Sequence, residues 1–325
     1  MAQDIIKVSV VVATYNQEKY IGHTLESIVT QKTDFAYEVI VGEDCSPDGT
    51  AEVVREYAGK YPDKVTAVIR EKNLGMTGNM TDIISRAKGE YIAMIEGDDY
   101  WTDEKKLQKQ VDFLDAHPDY AACFALCTIV DENENRHPEA EEISGFVKKG
   151  GEYTIKDFEN YLLPGQTASS LYRRSDFVRL PKVLASSGLD LSRFIDRYIV
   201  LIIFSFGKIY VFDESMSAYR RIMTKGSGTW SSENDYYSLN NLINYLDGLK
   251  EMELIARKTG LELDFDERRI YEFKKLMDNK DEFSKEDTKT IKKKLLDESN
   301  NRGRIVASVT KRNIRLLARR VLRKS

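Results

Sequence analysis

The stretch "YIAMIEGDDYW", Tyr91 to Trp101, sets three carboxylates, Glu96, Asp98 and Asp99, directly behind a run of apolar residues. Charge is costly where a strand is about to be buried, so carboxylates clustered there need a partner that offsets their desolvation. Hard oxygen ligands in a cluster suit a divalent cation, Mg2+ or Mn2+, and magnesium is typically held by one or two carboxylates together with substrate phosphates. The plainer alternative makes Asp98 and Asp99 the start of a turn, with Asp103 capping the next helix. Polar residues recur at comparable points: Thr14, Tyr15 and Asn16 behind "IIKVSVVVA", Glu43 and Asp44 behind "YEVIVG", Arg70 and Asn73 behind "KVTAVI". One ligand with several polar parts explains all four groups.

The elements that must position these groups follow from periodicity. "IIKVSVVVATYN" is a β-branched run of the continuously apolar kind found in buried parallel sheets, and "EKYIGHTLESIVTQ" puts Ile21, Leu25 and Ile28 on one helical face. The same order recurs through "YEVIVGEDCSPDGT", "AEVVREYAGKYP", "KVTAVIR", "MTGNMTDIISRAKG" and "EYIAMIEGDD". Strands alternating with helices imply an α/β fold, a Rossmann-like, mostly parallel central sheet with flanking helices. Ligands of such sheets bind outside the carboxyl ends of the strands, where the polar groups fall. Both common phosphate cradles are missing: "ATYNQEKY" stands where a dinucleotide fold has Gly-x-Gly-x-x-Gly, and there is no P-loop Gly-Lys-Ser/Thr. A diphosphate bound here needs a cation to neutralise it.

The 325 residues suffice for one large domain with an appendage, or for two small domains. A composition of 42% hydrophobic and 31% charged residues is that of an ordinary soluble protein, and the net charge of −4 argues against nucleic acid as a partner. Cys45, Cys123 and Cys127 are an odd set without a leading apolar segment, so the expectation is a reduced, cytoplasmic protein. Beyond about Ser231 the pattern is helical only, with Leu239, Leu242, Leu246 and Leu249 on one face, Gly260 as a C-cap, and Ser284 with Asp287 as a capping box. From Arg302 onward every charge is basic, and "VTKRNIRLLARRVLRKS" forms a basic amphipathic helix. Such a helix suits an anionic membrane surface, peripheral at the inner face of the plasma membrane, or a packed interface with a solvated face.

Four motifs in order, "VSVVVATYNQEKYIGHTLESIVTQ", "YEVIVGEDCSPDGTAEVV", "NLGMTGNMTDIISRAKGEYIAMIEGDDYW" and "SMSAYRR", resemble the family-2 glycosyltransferases, the inverting group with the GT-A fold. The resemblance implies a catalytic domain over residues 1–228, with a nucleotide-binding half to about residue 130 and an acceptor half over 131–228, followed by a helical region over 229–325. It implies transfer of a sugar from a nucleotide-diphosphate donor, usually a UDP-sugar, to a hydroxyl of a glycan or lipid-linked acceptor.

Site roles follow from the same resemblance. Asp44 matches the carboxylate that hydrogen-bonds the nucleobase, and Thr14, Tyr15 and Asn16 match the loop beside base and ribose. Asn73, Gly75 and Asn79 match the segment flanking the donor sugar, and Ala13, Arg70 and Gly97 border these donor-binding segments. Glu96 and Asp98 stand where the family has Asp-x-Asp, so Asp98 is expected as the direct metal ligand, with Asp99 and Glu96 supporting it. Asp196 takes the position of the general base, with Asp190 second. Many relatives carry a histidine where this chain has Ile222, and Arg220, Arg221 or Lys225 is the expected substitute at the diphosphate. Gln166 and Arg173 are expected in the acceptor groove, with Trp230 of "TKGSGTW" as a stacking platform. Two other classes keep some of these features. A sugar nucleotidyltransferase should carry a Gly-rich, Arg-containing loop where Thr14, Tyr15 and Asn16 stand, and a non-catalytic nucleotide-sugar binder would account for Glu96 and Ile222.

Overall fold

A computed structural model describes residues 5–189, 196–221, 239–278 and 284–307. Nine strands form one sheet: β1 (Ile6–Thr14), β2 (Ala36–Glu43), β3 (Val65–Ile69), β4 (Tyr91–Glu96), β5 (Tyr100–Trp101), β6 (Tyr120–Val130), β7 (Gly151–Tyr153), β8 (Leu171–Arg173) and β9 (Lys208–Arg220). Their order is β3-β2-β1-β4-β8-β6-β9-β5, with β7 pairing β9. The helices that matter for the site are α1 (Ile21–Val29), α2 (Thr50–Lys60), α3 (Gly75–Ser85) and α4 (Lys106–Ala116), with Asp196–Phe204 farther on.

The first four long strands run parallel, as their alternation with helices requires. Val8, Val10, Val11 and Val12 of β1 are fully buried, so both faces of that strand are covered. Ile21, Leu25 and Ile28 of α1 join the same core with no exposure, each contributing roughly 1.5–3 kcal/mol of burial. The second half of the sheet is mixed. The short β8 runs antiparallel between β4 and β6, pairing Ile92 with Tyr172 and Ala122 with Tyr172, and β6 then pairs in parallel with β9.

The chain divides into two compact units, Met1–Phe158 with Leu162–Glu233, and Glu159–Tyr161 with Asn234–Ser325. The expected boundary at residue 228 lies outside the described residues. Within the second unit, helix Leu239–Thr259 stops at Gly260, whose φ of 78° lets the Leu261 amide fold back to the Ala256 carbonyl. Ser284 caps helix Lys285–Asp297 by accepting from the Asp287 amide. Arg269 is fully buried, bridging Glu253 at 2.7 Å and Asp266 at 3.3 Å. Residues Glu159–Tyr161 belong to this unit, where the Tyr161 ring lies 5.1 Å from that of Tyr245. No helix among the described residues is long and apolar enough to cross a membrane.

Candidate active site

Register brings the polar strand ends together. Thr14 lies opposite Glu43 and Ala13 opposite both Gly42 and Glu96, so the carboxyl ends of β1, β2 and β4 finish at one edge. A cavity of about 490 Å³ opens there. From the donor-binding set it is lined by Ala13, Thr14, Tyr15, Asp44, Asn73, Gly75 and Asn79. Glu96, Asp98, Asp99 and Arg220 line it as well, and Gln166 and Asp196 complete it from the other half of the sheet.

Two close approaches set its floor. A Cβ on Gly97 would lie 2.5 Å from Gln17 Oε1 and 2.6 Å from Thr14 Oγ1, so only glycine lets the end of β4 come this near the end of β1. A Cβ on Gly42 would meet Asn79 Oδ1 at 2.3 Å, because α3 sits directly on β2 and Asn79 Nδ2 donates to the Gly42 carbonyl at 2.7 Å. Asn79 therefore ties down the wall it also lines. The loops behind β1 and β2 are stitched by the Asn16 amide on Ser46 Oγ at 3.0 Å and the Gln17 amide on Thr50 Oγ1 at 2.8 Å. Asn16 and Cys45 both adopt positive φ in these loops. Asp44 is buried and accepts from the Leu74 amide at 2.8 Å, which fixes the loop leading into α3. Asp48 accepts from the amide and hydroxyl of Thr50, the turn role its place before Gly49 suggests.

The carboxylates divide into two kinds. Asp99 is 1% exposed and both its oxygens are engaged, Oδ1 by the Arg220 amide at 2.8 Å and Oδ2 by Gln166 Nε2 at 2.6 Å. These bonds lock β9 and the turn at Gln166 onto the end of β4, so Asp99, expected to support the metal, is occupied by protein partners. Glu96 and Asp98 are half-buried and line the cavity. Burial, then the charges of Asp196 and Asp98, push the Glu96 carboxyl up to about 8, and burial pushes Asp98 up to about 6 against the pull of Arg220. Asp99 is raised well above the usual range by burial and by its two neighbours. Asp196 begins its helix with its side chain open to the cavity, and the protein packed around it raises its carboxyl while a hydrogen bond from Thr167 Oγ1 at 3.3 Å opposes the rise. Among the described residues no three His, Cys, Asp or Glu side chains form a ready cage for a cation.

Several expected residues fall elsewhere. Arg220 lines the cavity, but its side chain is 1% exposed, with Nε on the Asp98 carbonyl at 2.8 Å and the guanidinium on Glu134 at 3.0 Å and over the ring of Tyr20. It holds the Asp98 turn through these contacts. Arg221 does not line the cavity, and its amide pairs with the Val130 carbonyl. Arg70 donates to Asp82 at 2.6 Å and to Asn79 Oδ1 at 3.4 Å, behind the lining rather than in it. Arg173, expected in an acceptor groove, pairs opposite Tyr91 at the start of β4 and donates to the carbonyls of Leu114 and Tyr120, the wrong end of that strand for the site. Asn16 and Gly97 support the cavity without lining it. Asp190, Ile222, Lys225, Trp230 and the basic stretch beyond residue 307 lie outside the described residues. Gln17, Met76, Phe146, Thr167 and Tyr219 line the cavity without having been singled out for it. Of these, Gln17 and Tyr219 fall within the motifs "ATYNQEKY" and "SMSAYRR", and Thr167 within the polar "PGQTASS" between two elements, while Met76 and Phe146 carry no polar signal.

Comparison with known proteins agrees with this architecture. The sequence profile described as glycosyl transferase family 2 matches residues 9–180, more than half the chain. The chain therefore belongs to glycosyl transferase family 2 and carries its GT-A type domain. The crystal structure of Staphylococcus aureus TarS residues 1–349 with UDP-GlcNAc superposes with a TM-score of 0.57 at 22% identity, covering 82% of this chain and 70% of that one. An uncharacterized protein of Mycobacterium tuberculosis is 35% identical over 225 residues, which are 69% of this chain and 60% of the relative. TarS itself, named a poly(ribitol-phosphate) beta-N-acetylglucosaminyltransferase, is 38% identical over 117 residues, 35% of this chain and 20% of TarS. The chain thus spans less than two thirds of these curated relatives.

Proposed function

We propose that the protein moves a sugar from a nucleoside-diphosphate sugar, a UDP-sugar in the first instance, to an acceptor hydroxyl with inversion at the anomeric carbon. The observation that carries this reading is the meeting in one cavity of Asp44, Glu96 and Asp98 at the strand ends with Asp196 from the other half of the sheet. Asp44 accepts a hydrogen bond from the base. The acceptor hydroxyl gives its proton to the Asp196 carboxylate as its oxygen bonds the anomeric carbon, and the diphosphate leaves from the opposite face with the electron pair.

The residues also fit a divalent cation, Mn2+ or Mg2+. Burial and mutual repulsion raise the carboxyls of Glu96, Asp98 and Asp99, while Arg220 supplies the only positive side chain among the described lining residues. Asp98 with Glu96 would hold the cation, completed by phosphate oxygens of the donor, as hard cations prefer. When bound it stabilises the charge growing on the departing diphosphate. The acceptor we propose is a glycan or lipid-linked hydroxyl; TarS, a poly(ribitol-phosphate) beta-N-acetylglucosaminyltransferase, supports a polymeric acceptor, and the basic residues from Arg302 to Lys324 support docking at an anionic membrane surface.

Thermal unfolding with UDP-, GDP- and dTDP-sugars, with and without Mn2+ or Mg2+, tests the reading. One nucleotide series should raise the melting temperature only with metal, by about 2.7 kcal/mol of stability at a hundredfold excess over Kd. Asp98→Ala should abolish the rise. Folded wild-type protein that no nucleotide stabilises would refute the proposal.

A further inference from the structure

Two consecutive residues touch three of the site's carboxylates. Gln166 Nε2 donates to Asp99 Oδ2 at 2.6 Å and to Glu96 Oε2 at 3.2 Å, and Thr167 Oγ1 donates to Asp196 Oδ1 at 3.3 Å. Both belong to a tight turn with a 3-10 core at Thr167–Ser169, and the turn is closed by its own side chains. Gln166 Oε1 accepts from the Ala168 amide at 2.6 Å, while the hydroxyls of Ser169 and Ser170 donate to the carbonyls of Gln166 and Thr167.

The turn is also held from behind, carbonyl by carbonyl. Trp101 Nε1 donates to Ala168 O at 2.8 Å, Gln110 Nε2 to Ser169 O at 2.8 Å, and Lys106 Nζ to Ser170 O at 3.3 Å. Lys106 and Gln110 show no exposure, and the ammonium of Lys106 lies 4.4 Å from the Trp101 ring centre and 2.6 Å from Gln110 Oε1. A lysine buried without a carboxylate partner is costly, and burial pushes it down to about 7. A turn needed only to connect β7 to β8 would not require three buried polar side chains from β5 and α4 behind it. A turn that must hold two side chains to within a fraction of an ångström would.

We propose that this turn is a bracket fixing the donor-side carboxylates relative to Asp196, and that Thr167 is the positioning residue that aims Asp196 at the acceptor hydroxyl. The inference rests on Asp196 being the base of the proposed transfer. A carboxylate at a cavity wall turns about two side-chain bonds. Fixing one oxygen through the Thr167 hydroxyl leaves the other directed into the cavity, where the proton is to be taken. Gln166 does the same for Glu96 on the opposite side, so a single rigid element sets the separation between the two reacting ends of the site. Misplacement of a reacting group by about 1 Å can cost on the order of a hundredfold in rate.

The test uses the full chain and compares wild type with Thr167→Val, which keeps the shape and loses the hydroxyl, and with Thr167→Ser, which restores it. UDP release is followed from UDP-N-acetylglucosamine, UDP-glucose and UDP-galactose with Mn2+ and octyl glycosides as acceptor probes. Donor binding is read separately from the rise in melting temperature with UDP. The valine variant should lose roughly 10- to 100-fold in kcat. Its donor KM should stay within about twofold of wild type, the mark of an interaction made only on the way to the transition state. The UDP-induced rise should be intact, and the serine variant should recover most of the rate. Thr167→Ala serves the same comparison if the valine methyl is not accommodated. Wild-type kcat in the valine and alanine variants overturns the inference, as does a serine variant no better than valine, or a valine variant that has lost the UDP response. A wild type that releases no UDP from any of these donors refutes the UDP-sugar transferase reading, and the role of Thr167 in it.

Discussion

Replacing Glu96 by glutamine removes a charge and almost no volume from a cavity wall that also carries Asp98, Asp99 and Asp196. The Glu96 carboxyl is pushed from 4.5 up to about 8, first by burial and then by the charges of Asp196 and Asp98. The sign of the resulting pH dependence is the reverse of the usual one for a carboxylate. Below about 4.5 the group is protonated in folded and unfolded chains alike. Between 4.5 and about 8 the unfolded chain ionises while the folded one keeps its proton, so stability falls as pH rises through that window. Above it the whole penalty is present. Asp98, pushed up to about 6, adds a contribution of the same sign over a narrower range.

At ~1.36 kcal/mol per unit, that displacement sets a ceiling of roughly 5 kcal/mol. Glu96 is only half-buried and opens to the cavity, and its neighbours relax their own titration when it ionises, so screening brings the observable effect to about 1–2 kcal/mol. The assay is urea denaturation of metal-free wild type and Glu96→Gln at pH 5 and pH 9. The variant should match wild type at pH 5 and exceed it by about 1–2 kcal/mol at pH 9. An equal difference at the two pH values, or a variant weaker than wild type at pH 9, would show that burial and the neighbouring charges do not penalise the ionised Glu96.

Asp196→Asn should lower kcat by about 10²- to 10⁴-fold while the UDP-induced rise in melting temperature stays as in wild type, because the amide cannot take the proton and the donor carboxylates are untouched. Loss of UDP binding in that variant would place Asp196 in the donor site instead. In the second unit, Arg269→Leu leaves Glu253 and Asp266 buried without their cation and should destabilise that unit by roughly 3–5 kcal/mol in urea. A loss below about 1 kcal/mol would mean that the remaining hydrogen bonds from Asn300 and the backbone satisfy both carboxylates.

What could be read in the sequence was what is local. The βα alternation fixes parallel strands whose ends share an edge, and Ser284 and Gly260 end their helices by bonds to neighbours a few residues away. What could not be read depends on partners far along the chain. Asp98 and Asp99 are the same residue type side by side, and which one has its oxygens taken by the protein is decided in part by the amide of Arg220, 121 residues later. Arg173 reads as a groove residue in "LYRRSDF" until β8 is seen to pair with the start of β4, which puts its guanidinium among backbone carbonyls at the far end of the sheet. Lys106 is fully buried at a helix start because Ser170, 64 residues later, and Gln110 accept from its ammonium, and no local pattern carries that contact with Ser170.

The three carboxylates behind β4 therefore answer to different constraints, and the inward one makes the other two usable. Asp99 is satisfied by a backbone amide and a side-chain amide, partners that offset the cost of burying it and that belong to the two segments, β9 and the Gln166 turn, closing the cavity. Once those segments are fixed, Glu96 and Asp98 are left facing the opening with too little positive charge beside them. Folding therefore raises the carboxyls of Glu96 and Asp98, and their ionised forms lack a compensating charge within the fold. The proposed donor, a diphosphate carried with a cation, would supply that charge, and an acid-to-amide change at Glu96 separates what the fold needs from what such a ligand would need.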